Sequence, residues 1–190
     1  MQNENLGNPA VVGLAGFGLT TLLLQFHNLS YIGLGPVVVM AFIFGGLAQL
    51  IAGFMEQKTG NNFGFAAFST YGSFWIGLGL IWMFNTLGIF ESSTTDVGFY
   101  LLAFTFITMI FLIASLFIHT AMFLTFASLF FGFVFLDLAH FGFPEFTTPA
   151  SIILIFCALS AWYMMAAIII NQVAGKEILK TGKPLVAYKK

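Results

Sequence analysis

Charge is what this chain has least of. Only 7% of its 190 residues are Asp, Glu, Lys or Arg, against about a quarter in soluble domains. Thirteen charged residues cannot cover the surface of a soluble protein of this length, whereas a chain facing lipid has no such need. Cysteine is nearly absent as well. Cys157 stands alone inside an apolar run, which excludes an intrachain disulfide and a cysteine metal cluster and makes it a small packing residue. Basic residues are missing from Met1 to Asn8, so no cleavable leader is expected there and the first apolar run reads as a retained helix. Ten-residue alternating segments are lacking too, which excludes a closed transmembrane β-barrel. His27, His119 and His140 lie on separate segments near helix ends, outside any HExxH or paired-carboxylate pattern. They read as interfacial or capping residues. The expectation is a protein that is not an enzyme and has no cofactor, no metal and no nucleic-acid partner.

What the chain has instead is apolar length. Hydrophobic residues make up 59% of it, including 26 Phe. A spanning helix needs about 20 mostly apolar residues, and six stretches qualify, at 9–28, 36–55, 66–87, 97–118, 120–141 and 149–171. The breaks carry turn residues, as in Ser30 to Pro36, Glu56 to Asn62, Glu91 to Asp96 and Phe143 to Pro149. Only Ile118, His119 and Thr120 separate the fourth and fifth runs, which predicts a tight helical hairpin. The fold class is therefore all-α integral membrane, one domain over 1–190 with a basic tail at 172–190. With six helices, both tails and the second and fourth loops share one side. That side holds all six lysines: Lys58, Lys176, Lys180, Lys183, Lys189 and Lys190. The other side holds Glu91, Asp96 and Glu145. Lysines gather on the cytoplasmic side, so both termini are expected in the cytoplasm. An offset of 87 residues aligns Leu14, Phe17, Phe44-Gly45 and Trp75 with Leu101, Phe104, Phe131-Gly132 and Trp162, a possible three-plus-three inverted repeat.

The apolar runs contain small and polar residues on common faces. Gly13, Gly16, Phe17 and Thr20 share one helical face, and Gly45, Gln49 and Gly53 follow at spacings of four. Phe68, Tyr71, Gly72, Trp75 and Gly79 share another. Close helix packing accounts for the glycines. It does not account for Gln49, whose amide is costly against lipid and needs partners or a wet cavity. No lysine lies in the predicted interior, so an anion would have to be met by amides, hydroxyls or a helix N-terminus such as Asn8-Pro9. A weak acid can also cross its narrowest point neutral. Asp137 and His140, three apart near one helix end, are candidates for a pH sensor or proton entry. These residues alone point to a channel or transporter for a small polar solute.

The ordered motifs say more. Asn8-Pro9-Ala10-Val11-Val12-Gly13-Leu14 resembles the NPAPLGL signature of the acetate uptake transporter family, the acetate/succinate permeases, keeping five of its seven positions. Thr20-Thr21, His27-Asn28, Phe44 to Gln49, Ala52-Gly53, Glu56, Gly60-Asn61, Phe63-Gly64, Phe68 and Tyr71 to Trp75 follow in order, so the resemblance covers roughly residues 8–75. It implies a six-helix protomer of a homo-hexamer in the plasma membrane, moving acetate and related short carboxylates, including succinate, as a proton symporter or a channel. It also implies a constriction at Phe17, Tyr71 and Leu129, with Asn8 and Gln49 along the path and Thr20 and Ser128 as further substrate-binding candidates. Glu56 is a cap or a proton group, as Asp137 and His140 could be. A channel for urea, a short amide or ammonia, or a non-transporting sensor, are the alternatives.

Overall fold

Each of the six apolar runs forms a helix long and apolar enough to cross a membrane. The computed structural model describes residues 7–187, so Lys189 and Lys190 lie outside the described residues. Helix α1 is Ala10–Asn28. Helix α2, Gly35–Lys58, is α-helical over Gly35–Phe42, opens into a π turn over Ile43–Ala48, and closes again over Gln49–Lys58. Asn62–Leu87 forms α3, Thr94–Ser115 α4, Thr120–His140 α5 and Thr147–Ala174 α6.

Capping chemistry sets several boundaries that hydropathy misplaces. The third helix begins at Asn62 rather than 66, because the Asn61 side chain accepts the Gly64 N–H. The fourth begins at Thr94 rather than 97, under a reciprocal capping box between Ser93 and Asp96. It ends at Ser115 rather than 118, where Leu116 to Ile118 form a turn. His119 is then fully extended, with φ −167° and ψ 162°. The two runs are therefore separate helices joined by a tight hairpin. Gly88 and Gly175, at φ 65° each, terminate α3 and α6 in the left-handed conformation that favours glycine.

Sequential helices pack on one another, and α6 returns to pack along α1, closing a ring. The α3–α4 seam is made largely by aromatic side chains: Phe74 meets Phe104 at 4.9 Å and Tyr100 at 5.6 Å between ring centroids. The Tyr100 hydroxyl donates to the Phe74 carbonyl at 2.7 Å. Helix starts at Ala10, Gly35 and Asn62 in the first half and at Thr94, Thr120 and Thr147 in the second keep a nearly constant offset. The halves still differ, because α5 is α-helical throughout where α2 carries its π turn.

Glycines admit the closest contacts. A Cβ on Gly16 would strike the Phe44 carbonyl, one on Gly45 would strike Thr20, and one on Gly72 would lie 2.7 Å from the Leu50 backbone nitrogen. In lipid, apolar burial does not drive helices together, so dispersion at such approaches carries association. The first turns of α1, α3 and α5 and the tail lie at one end of the bundle. There Ala10, Gly64, His119 and Thr181 line a single cavity.

Gly72→Val is expected to destabilise the bundle by about 2 kcal/mol through overpacking against a backbone that cannot yield. For a chain of this size that lowers Tm by roughly 4–8 °C. Gly33→Ala, where a Cβ meets nothing within 4 Å, should leave it unchanged. Thermal unfolding in detergent, followed by circular dichroism, compares the two.

Candidate functional site

Inside the ring is a cavity of about 110 Å³. A water needs about 10–15 Å³ on this measure, so the space suits several waters or one small solute. Leu14 and Phe17 of α1, Gln49 of α2, Phe68 and Tyr71 of α3, Phe126 and Leu129 of α5, and Met164 of α6 form its walls. Asn61, His119 and Thr181 also line it. Among the described residues, the lining includes no Asp, Glu or Lys.

Phe17, Tyr71 and Leu129, three residues singled out from sequence, thus come from three helices to one cavity, and all three are buried. The rings of Phe17 and Tyr71 meet edge to face at 5.7 Å. Tyr71 also contacts Phe111 and Phe126, at 5.9 Å and 6.2 Å. Its hydroxyl points to Thr108 Oγ1 at 2.8 Å. Thr108 spends its only proton on the Phe104 carbonyl at 2.7 Å, so Tyr71 is the donor and its hydroxyl is committed to packing. What it offers the cavity is a ring face.

Gln49 is the first residue after the π turn and is 0% exposed. Neither its Nε2 nor its Oε1 has a hydrogen-bond partner among the described residues. A buried amide left so costs about 1–3 kcal/mol per group, unless something in the cavity meets it. The π turn is what aims it there. One extra residue in a helical turn rotates all that follows by about 100°, and Gly45 and Gly46 make room for that turn.

The other sequence candidates stand off the cavity walls. Asn8 is exposed, and its Oδ1 accepts the Ala10 N–H at 3.0 Å. The Val11, Val12 and Gly13 N–H groups donate to the carbonyls of Asn8 and Pro9. The expected free N–H groups at the start of α1 are therefore used within the turn, because Asn8 caps its own helix. Thr20 packs on Gly45 and donates weakly to the Met40 carbonyl at 3.5 Å. The Ser128 hydroxyl is turned back on the carbonyls of Leu124 and Thr125. Glu56, 2% exposed, accepts from Asn61 Nδ2 at 2.6 Å, while its Oε1 has no partner among the described residues. Through Asn61 it supports the cavity wall without lining it. Asp137 turns to α4, where Thr105 donates to Oδ2 at 2.7 Å. His140 bonds the Leu136 carbonyl. The two are not paired with one another, because their side chains leave α5 toward different partners. Cys157 is wholly buried, its thiol donating to the Thr125 carbonyl.

Sequence reading missed Asn61, His119 and Thr181 as cavity residues. Asn61 sits in a turn that looked like a simple break, and Thr181 in a tail whose course hydropathy says nothing about. His119 did read as a possible cap, and it is one: Nδ1 accepts the Met122 N–H at 3.1 Å.

That cap needs an unprotonated Nδ1, and burial lowers the imidazole below its ordinary pKa. The neutral form is thus favoured by folding. The contribution is complete above about pH 6.5, the unfolded value, and is lost as pH falls through the lowered folded value. His119→Ala should cost about 1 kcal/mol at neutral pH, while His119→Asn should keep the cap. Tm across the pH range should show an acid-side loss in the parent that His119→Asn lacks.

The geometry has close counterparts among known proteins. The succinate-acetate/proton symporter SatP of Escherichia coli K12 is 35% identical over 186 residues, covering 96% of this chain and 99% of that one. The ammonia transport outward protein 2 of Saccharomyces cerevisiae is 34% identical over 170 residues, covering 84% of this chain and 60% of the yeast protein. A solved structure of the bacterial acetate channel SatP matches with a TM-score of 0.90 at 35% identity, covering 94% of this chain and all of that one. A model of the GPR1/FUN34/yaaH family matches residues 1–178. Sequence and helix arrangement agree: this chain belongs to the GPR1/FUN34/yaaH family.

Proposed function

We propose that this protein transports acetate and related short carboxylates, succinate among them, through the cavity of each protomer, past a constriction made by Phe17, Tyr71 and Leu129. The observation that carries this reading is the unpartnered Gln49 amide in a cavity wall without fixed charge. A neutral carboxylic acid offers one donor and one acceptor, which complement the amide's carbonyl and NH₂ together. An ionised carboxylate meets the NH₂ alone. The E. coli relative named as a succinate-acetate symporter and the matching acetate channel supply the substrate class.

Three further assignments extend the proposal. The end bearing Lys58, Lys176, Lys180 and Lys183 faces the cytoplasm, as the distribution of lysines favours. The protomer assembles as a homo-hexamer, as the family resemblance implies. Of the candidate proton groups Glu56, Asp137 and His140, Glu56 is the best placed, because its hydrogen bond to Asn61 reaches the cavity wall. A second reading, a path for ammonia or another small neutral solute, is favoured by the yeast relative's name and by the same uncharged lining.

Labelled-acetate uptake into proteoliposomes tests the leading reading. Accumulation above equilibrium that requires an inward proton gradient means symport, and simple equilibration carrying current means a channel. Ammonia flux with no acetate flux would select the second reading. Gln49→Leu should cut acetate flux about tenfold or more while leaving Tm equal or higher, since it removes two orphaned polar atoms and keeps the volume. Phe17→Ala and Leu129→Ala should admit lactate, shifting the acetate-to-lactate ratio by about tenfold, the scale at which an apolar pocket discriminates a small group. Tyr71→Phe should keep the parent's selectivity, because the ring and not the hydroxyl faces the path. Unchanged selectivity in both alanine variants would place the constriction elsewhere.

A further inference from the structure

Beyond α6 the chain does not leave the bundle. After Gly175 it folds back across the end at which α4 meets α5, fastened at five places: Asn171, Tyr163, Ala121, Thr120 and Leu116. In the last turns of α6, Asn171 Oδ1 accepts the N–H groups of Ile178 and Leu179 at 2.7 Å and 2.9 Å, and its Nδ2 donates to the Leu179 carbonyl. The Tyr163 hydroxyl donates to the Lys180 carbonyl at 2.8 Å. On the far side, the Ala121 N–H, one of the donors a helix start leaves free, bonds the Thr181 carbonyl at 2.9 Å. Thr120 Oγ1 donates to the Lys183 carbonyl at 2.9 Å, and the Leu185 and Val186 N–H groups share the Leu116 carbonyl. Gly182 has a φ of +87°, and a Cβ there would lie 2.6 Å from Thr120 Oγ1. Midway between these fastenings, Thr181 forms part of the cavity wall beside His119 and Asn61.

We propose that residues 176–186 are a strap across one mouth of the cavity, with Thr181 as its wall residue, and that the strap governs solute access from that end. The claim about solute rests on the cavity being the transport path. The strap is held differently from the helices. Ile178, Leu185 and Val186 remain 51%, 50% and 42% exposed, so hydrogen bonds to backbone carbonyls and N–H groups do most of the fastening. A segment with few buried apolar contacts opens locally without unfolding the bundle. Its position is also fixed by side chains of α5 and α6, so a shift in either helix is transmitted to the mouth.

Thiol labelling of full-length protein in detergent tests the strap without needing transport. In a Cys157→Ala background, Met122→Cys places a thiol in the cavity wall that Thr181 shares, and Val173→Cys provides an exposed control. A membrane-impermeant maleimide should label Met122→Cys slowly in the parent. It should label it at least several-fold faster when the strap is loosened by Tyr163→Phe with Asn171→Ala, or independently by Gly182→Val. The control should label equally fast throughout. Fast labelling in the parent, or no acceleration in either loosened variant, overturns the strap. In proteoliposomes the loosened variants should raise the initial rate of acetate uptake and leave the acetate-to-lactate preference unaltered. Faster labelling with an unchanged uptake rate overturns its control of access. If the parent moves no acetate at all, the transport reading falls, and the labelling result alone decides whether the strap covers the mouth.

Discussion

At Gly16 the backbone of α1 lies against the carbonyl of Phe44 in α2, and one turn later Thr20 fills the space that Gly45 leaves empty. A Cβ at Gly16 would strike backbone, and one at Gly45 would strike the Thr20 side chain. Helices in lipid gain nothing by hiding apolar surface from one another, so contacts of this closeness are what hold a bundle together. Here the contact falls on a π turn. Gly45 permits the approach, Gly46 leaves room for the Ala41 carbonyl in the widened turn, and the extra residue rephases the rest of α2. Gln49 faces the cavity as a result.

The chemistry of the cavity follows from how little polarity it contains. Burying an ion in such a place is expensive, whereas a neutral hydrogen-bonding group costs far less once it is paired. Tyr71 has its hydroxyl tied to Thr108, and Ser128 and Thr20 turn theirs to backbone carbonyls. Among the described residues, the wall is mostly ring faces and aliphatic groups with one unpartnered amide, that of Gln49. Such a site selects by size and by one matched pair of hydrogen bonds. The carboxylates Glu56 and Asp137 sit apart from it, each held by a neighbouring side chain.

Polar groups at the tail end of the cavity belong to segments with no regular hydropathy signal. Asn61 caps α3 while donating to Glu56, His119 caps α5, and Thr181 arrives from a tail that follows the last span. Each of them serves a local backbone need and also forms wall, which couples the geometry of the mouth to the ends of three helices.

Hydropathy alone determined the six spans, because an apolar run of about 20 residues has few uses other than crossing a bilayer. The lysine pattern made the even helix count legible for the same kind of reason. The ordered motifs of residues 8–75 made the family recognisable, and Phe17, Tyr71, Leu129 and Gln49 were found from sequence and lie together in one cavity. Helix starts shifted where a cap overrode hydropathy, at Asn61 and at Ser93 with Asp96. The direction of each polar side chain was beyond the sequence. Asn8, Thr20, Ser128, Asp137 and His140 carry the same functional groups whether they face a solute or a carbonyl one turn away. Only the tertiary structure decided that these five bond to nearby backbone or to a neighbouring helix while the Gln49 amide is left open, because a hydrogen-bond partner is chosen by distance and angle and not by residue type.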